Sequence, residues 1–191
     1  PTPARSGVGL WPAIGGQGRG VKRAGRRRRP WLELAVAVLL IGGVYAWRTA
    51  PLLPSGGEIA APEWSLSDLA GRRWSNADFE GRATVLYFFA PWCAVCNASA
   101  HQLRWFERWS GDGAALVMIA LDYETPAAVA EYAQRHRLDG PVLLGDAQMA
   151  AAFRIYGYPT YYVVNGEGRI VSRDFGYTTL PGLWARTLLR R

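Results

Sequence analysis

The chain has 191 residues, half of them hydrophobic and 13% aromatic, with a formal net charge of +7. That content excludes a disordered protein and leaves room for one ordinary domain plus an appendage. The charge is unevenly placed: residues 1–50 carry nine Lys/Arg against one acid, Glu33, whereas residues 51–191 carry 13 basic and 14 acidic side chains, so a basic, nucleic-acid-binding domain is excluded too.

From Pro1 to Gly25 the sequence is rich in Gly, Pro and Arg without a hydrophobic period, and residues 1–29 are read as a basic, disordered cytoplasmic tail. The run Arg26–Arg29 then abuts an apolar stretch, Trp31 to Trp47, in which Glu33 is the only charge. As a helix rising about 1.5 Å per residue it covers about 25 Å, just short of the roughly 30 Å hydrocarbon core, with Arg48 and the flanking tryptophans at the interfaces. Residues 30–48 are therefore expected to form one transmembrane anchor in contact with lipid. Four arginines on its N-terminal side keep that side in the cytoplasm and send the rest across. A secretory signal cleaved after Ala46 is the competing reading, and it exports the same domain. A nucleic-acid patch is the weaker account of the arginines, since a basic run beside an apolar segment already has a topological one.

Residues 49–57 read as a Pro/Gly/Ser linker and 58–191 as the folded domain. Short extended pieces are expected around Trp64–Leu66 and Arg72–Trp74. "ATVLYFF" is the unbroken apolar run of a strand covered on both faces. A helix from Cys93 to about Trp109 should bury Cys96, Ala100, Leu103 and Phe106. The strand "ALVMIALD" follows, then a helix from Pro126 to Arg137 with Val129, Tyr132 and Ala133 inward, the strand "PVLL", and a helical segment around Gln148–Phe153. Two β-type runs flank Asn165-Gly166-Glu167-Gly168, a hairpin signal. A last helix near Pro181 places Leu180, Leu183, Trp184, Thr187 and Leu188 on one stripe.

The chain has two cysteines, Cys93 and Cys96, in "PWCAVC". A C-x-x-C pair that follows a buried strand and opens a helix puts Cys93 at the helix N-terminus, where unpaired N–H groups favour its thiolate, and Cys96 one turn inside, so that one sulfur is expected to be exposed and nucleophilic and the other held to resolve. Zinc would need two further ligands, and neither His101 nor His136 completes a recognised spacing. Haem attachment needs His where Asn97 stands. A structural bridge closing so tight a loop would constrain the unfolded chain little. Redox chemistry is the reading left strongest. His101 and His136 are both read as solvated, His136 in the last turn of its helix.

From Glu58 onward the chain resembles the membrane-anchored, TlpA/ResA-like thiol-disulfide oxidoreductases of the thioredoxin superfamily, through "APEWSLSDLAGRRWSNADFEGR", "WCAVC" at 92–96 and "GYPT" at 157–160. The resemblance implies an α/β thioredoxin fold, a mixed central sheet flanked by helices, with the extra strand and helix of that branch at about Asp122 to Leu144. It implies Cys93 and Cys96 as the catalytic pair, Pro159 as a cis-proline, and a substrate-binding surface of Trp92, Tyr158, Pro159 and Thr160. No bound cofactor or metal is called for. Implied partners are exported proteins carrying thiols or disulfides, such as apocytochrome c or copper-site assembly proteins, and a transmembrane electron-donor reductase. The implied location is the periplasmic face of a bacterial inner membrane. Departures are Val95 for the common Pro, Ser99 for a frequent acid three positions after the second Cys, no Asp in "ATVLYFF", and a bulky Tyr158. A disulfide-donating oxidant and a copper carrier on the Cys pair remain as rivals; Met118 and Met149 are not obvious third ligands.

Overall fold

The run "ATVLYFF" forms the strand around which the domain is laid. In the computed structural model, which describes residues 30–188, this strand is β3 (Ala83–Phe89), and each of its residues is buried. Apolar residues can occupy both faces of a strand only where both faces are covered. Val85, Tyr87 and Phe89 enter one cluster with α2 (Ala94–Ser110), α3 (Pro126–His136) and α5 (Leu180–Leu188). Leu86 and Phe88 enter a second, with Trp64, Leu66, Phe153 and Met149 of α4 (Ala147–Ala152).

The sheet has seven strands in the order β2-β1-β5-β4-β3-β6-β7. Here β1 is Ser65–Asp68, β2 Arg73–Ser75, β4 Ala114–Ala120, β5 Val142–Leu144, β6 Thr160–Val164 and β7 Ile170–Phe175. β3, β4 and β5 run parallel, while β1, β2, β6 and β7 are added antiparallel, giving the mixed sheet expected. The inward faces of α2 and α3 carry the residues that helical spacing selects, with Ser99 in addition. α3 starts at Pro126 behind an N-cap Thr125, whose hydroxyl accepts from Ala128 N, and ends on Arg137 in the left-handed region. In the β6–β7 turn the Asn165 side chain accepts from the N–H groups of Glu167 and Arg169, which fixes the hairpin.

α1 (Pro30–Thr49) is long and apolar enough to cross a membrane, and all of it except Thr49 is exposed. The chain divides into two compact units, 1–39 and 40–191; the first is described only by the opening half of α1, and the second holds the sheet. The basic tail at 1–29 lies outside the described residues, as does the side chain of Leu188 on the final stripe. The stretch read as a linker is more firmly held than its composition suggests. Leu52 and Leu53 are buried, their carbonyls accept from the Arg173 guanidinium, and Leu53 N donates to the Tyr162 hydroxyl. Gly57 N and the Ala60–Arg169 bridge then lay the chain along β7. Pro/Gly content signals a break in regular structure, but two leucines in it are enough to pin it down.

Candidate active site

β3 ends at Phe89, and the turn Ala90-Pro91-Trp92 delivers the chain to the start of α2, with Cys93 N donating to Ala90 O. Cys93 is the N-cap residue in extended conformation, and its Sγ accepts from Cys96 N at 3.1 Å. The two cysteines form a disulfide with a Cα–Cα distance of 5.2 Å. A sulfur in this position faces the unpaired N–H groups of a helix N-terminus, so negative charge on Cys93 is favoured when the bridge opens. Cys96 is 0% exposed and Cys93 7%. Cys93, expected to be exposed, is buried as well in the disulfide form, because the residue packs into the core cluster beneath it.

Aromatic residues wall the disulfide. Trp92 is 63% exposed, its indole N–H donates to Asp122 O at 2.7 Å, and its ring meets Tyr158 edge-on at 5.9 Å. The Tyr158–Pro159 peptide is cis, and Pro159 O accepts from Gly176 N. Val95 adds an exposed apolar side chain, 42% exposed, on the outer side of the helix turn. Of the residues assigned to a substrate surface, Trp92 and Tyr158 are in contact here, whereas Pro159 is buried and Thr160 is fully buried with its hydroxyl donating to Gly157 O. Thr160 begins β6, so its side chain alternates into the core and shapes the loop from behind.

Beneath the disulfide lies a set of polar groups that sequence reading missed. The Tyr132 hydroxyl donates to Cys96 O at 2.9 Å, and burial pushes its pKa up to about 12. Tyr87 of β3 and Tyr161 of β6 are buried in the same cluster with hydroxyls that have no hydrogen-bond partner among the described residues. Burial first, and neighbouring tyrosines next, raise Tyr87 well above its ordinary value; burial also raises Tyr161. Both therefore stay protonated and can donate. Ser99 is buried and donates to Val95 O.

His136 is also misread by its sequence position. It is half-buried, its Nε2 lies 2.7 Å from Asn97 Oδ1, and its ring packs on Tyr132 at 4.5 Å. Burial first, then Arg135, hold its pKa below the ordinary value, so the cation that would suit a helix C-terminus is disfavoured. The i,i+4 pair Tyr132/His136 on a helix that follows the redox loop was the available signal. His101, by contrast, is exposed as expected, accepting from the Trp105 indole.

Residues 58–173 match the AhpC/TSA family. The chain belongs to the AhpC/TSA family. Among curated proteins the chain is 26% identical over 164 residues to the thiol-disulfide oxidoreductase ResA of Bacillus subtilis, covering 81% of this chain and 89% of that protein. It is 30% identical over 162 residues to the methylamine utilization protein MauD of Paracoccus denitrificans, covering 78% and 79%. A crystal structure of a thiol:disulfide interchange protein of the thioredoxin family from Chlorobium tepidum superposes with a TM-score of 0.62 at 23% identity, over 72% of this chain and 97% of that one. That likeness establishes the thioredoxin fold. Family, fold and relatives together make the chain a thioredoxin-fold thiol-disulfide oxidoreductase.

Proposed function

We propose that this AhpC/TSA-family protein reduces disulfides of exported proteins at the outer face of a bacterial inner membrane, with Cys93 attacking and Cys96 resolving. The observation that carries the assignment is the asymmetry of the pair: Cys93 Sγ caps the helix and already accepts from Cys96 N, while Cys96 is sealed in the core. In the reduced enzyme the Cys93 thiolate attacks one sulfur of a client disulfide. That S–S bond breaks, the client's other sulfur leaves as a thiolate and takes a proton, and a mixed disulfide remains. Cys96 then loses its proton and attacks Cys93 Sγ, which releases the second client thiol and leaves the Cys93–Cys96 bridge. Two electrons have moved from enzyme to client, and a transmembrane reductase restores the dithiol. Tyr87 and Tyr161 bring protonated hydroxyls into the core cluster that holds Cys96, in a site that offers no carboxylate on β3.

The clients are exported proteins such as apocytochrome c or copper-site assembly proteins, docked on Trp92, Val95, Tyr158 and the Tyr158 backbone that precedes Pro159. Membrane attachment is supported by α1, whose apolar side chains are exposed along its length. Its orientation follows from Arg26–Arg29. The redox direction follows from the charge around the pair: thiol-disulfide proteins of this kind span about −270 to about −120 mV, a gap of roughly 7 kcal/mol, whereas a helix N-terminus contributes about 2 kcal/mol at most. No Lys, Arg or His occurs between Arg82 and His101, and His136 favours its neutral form. A midpoint potential below roughly −150 mV in glutathione buffers is expected; a higher one transfers the function to a disulfide donor.

The deciding experiment is trapping. Cys96→Ala in the full chain should accumulate dithiothreitol-sensitive adducts at Cys93 with exported proteins, and Cys93→Ala should accumulate none. Adducts on Cys96 instead, or clients confined to the cytoplasm, overturn the reading.

A further inference from the structure

Asn97 is the residue after Cys96, one turn into α2, and its side chain is bonded at both ends. Its Nδ2 donates to Cys93 O at 2.9 Å, while its backbone N–H donates to the same carbonyl at 3.0 Å. The amide group has one donating and one accepting end. Because the NH2 end is committed to Cys93 O, Oδ1 is the atom that faces His136 Nε2 at 2.7 Å, and Oδ1 can only accept. His136 Nε2 must therefore carry a proton and donate it. The orientation of a side chain on α3 thus reaches, in two hydrogen bonds, the carbonyl of the cysteine at the helix cap.

We propose that His136, acting through Asn97, is a positioning residue for the Cys93 peptide and so for the sulfur that attacks the client. It rests on the assignment of Cys93 as attacking thiol. Cys93 is the residue where extended backbone turns into helix, at φ −72° and ψ 116°. Its carbonyl must point down the helix for Asn97 N and its side chain must turn back to accept from Cys96 N. A second donor on the carbonyl narrows the range of ψ available there, and His136 narrows the range of Asn97 in turn. The same face of α3 supplies Tyr132, whose hydroxyl holds Cys96 O. One helix outside the redox loop therefore holds the backbone of both cysteines.

The arrangement is also pH-dependent in a defined way. Among the described residues, Arg135 beside it on α3 is the charged neighbour acting on His136, Tyr132 on the same helix stays neutral, and Asn97 on α2 carries no charge. Protonating the second nitrogen leaves the bond to Asn97 in place and adds a positive charge two hydrogen bonds from Cys93. This favours the Cys93 thiolate as pH falls through the His136 pKa.

The test is the pH profile of Cys93 alkylation by iodoacetamide in the reduced full chain, with the labelled cysteine identified by mass spectrometry. His136→Ala should slow alkylation at neutral pH by about threefold to tenfold, the size of one ordinary hydrogen bond. His136→Gln, which keeps an N–H donor but does not titrate, should restore the neutral rate to within about twofold. The wild-type profile should show a shoulder on its acid side that both variants lack. In an Asn97→Ala background, His136→Ala should have no further effect. Equal rates in wild type and His136→Ala, an undiminished effect in the Asn97→Ala background, or no rescue by a His136→Gln chain with wild-type thermal unfolding each overturn the proposal. Labelling at Cys96 overturns the underlying assignment instead, so the two failures are distinct.

Discussion

The two faces of the central sheet are built from the same residue types and handle polarity in opposite ways. On the face covered by α4 and the 49–64 segment, Tyr162 is buried, accepts from Leu53 N at 3.1 Å and donates to Phe153 O at 2.8 Å, so its hydroxyl is fully used in tying chain to chain. On the face covered by α2, α3 and α5, Tyr87 and Tyr161 are equally buried and their hydroxyls have no hydrogen-bond partner among the described residues. A buried hydroxyl without a partner costs about 1–3 kcal/mol, which selection for stability alone removes by the change to Phe. The face that keeps this cost is the one that carries Cys93 and Cys96. A reaction that opens a buried S–S bond creates a thiol or thiolate in the same cluster, where buried charge needs donors.

The comparison breaks most visibly if the covered face is emptied. Phe88 is 0% exposed and packs on Phe153 and Tyr162 with ring centroids at 5.1 and 6.1 Å. Phe88→Ala should cost about 3–5 kcal/mol in unfolding free energy, read by denaturant melts, while leaving Cys93 alkylation in the folded fraction within about twofold of wild type. A large change in alkylation would mean that the faces are not separable. Tyr162→Phe is the next largest change, at about 1–3 kcal/mol, because it strands Leu53 N without an acceptor.

Tyr87→Phe sharpens the contrast. On this face the same substitution should leave the oxidised protein as stable as wild type or slightly more so. It should also remove a donor from the reduced state, where Cys96 sulfur is free. Losing about 1 kcal/mol of stabilisation from the dithiol lowers the midpoint potential by about 20 mV, making the enzyme the stronger reductant. A potential that stays fixed or rises, measured against glutathione, would assign the hydroxyl to packing alone.

How much of this was legible in the sequence depends on the range over which each signal acts. "ATVLYFF" and the inward stripes of α2 and α3 were readable because burial imposes a local period, and Cys93 and Cys96 because their chemistry lies in four adjacent residues. Asn97 and His136 stand 39 positions apart, and nothing in either helix alone marks the pair. Position 87 was legible only as a lack of acid. That its hydroxyl is unpartnered depends on β6 and α3 closing over it. Leu52 and Leu53 were masked by the Pro and Gly around them, since turn composition describes local backbone and not what a side chain reaches.

The smallest expected effect lies on the redox face but at the far end of α2, away from the cysteines. Glu107 is half-buried, with Oε2 lacking a hydrogen-bond partner among the described residues, and a Cβ at Gly140 would overlap its Oε1. Burial is the largest influence on its carboxyl and raises its pKa above the ordinary 4.5; backbone N–H groups of Asp139 and Gly140 oppose that shift in part. A raised pKa means that the folded state prefers the protonated acid. The resulting stabilisation is complete below the unfolded-state pKa and is lost as pH rises through the folded one. Glu107→Gln keeps an acceptor for the two N–H groups and does not ionise. The melting temperature of the variant minus that of wild type should therefore increase between about pH 4 and about pH 7 and then level off. The alkylation profile of Cys93 should be unchanged, since no hydrogen bond described here links Glu107 to the redox turn. A difference that falls over that range would mean that the N–H groups, and not burial, govern this carboxyl.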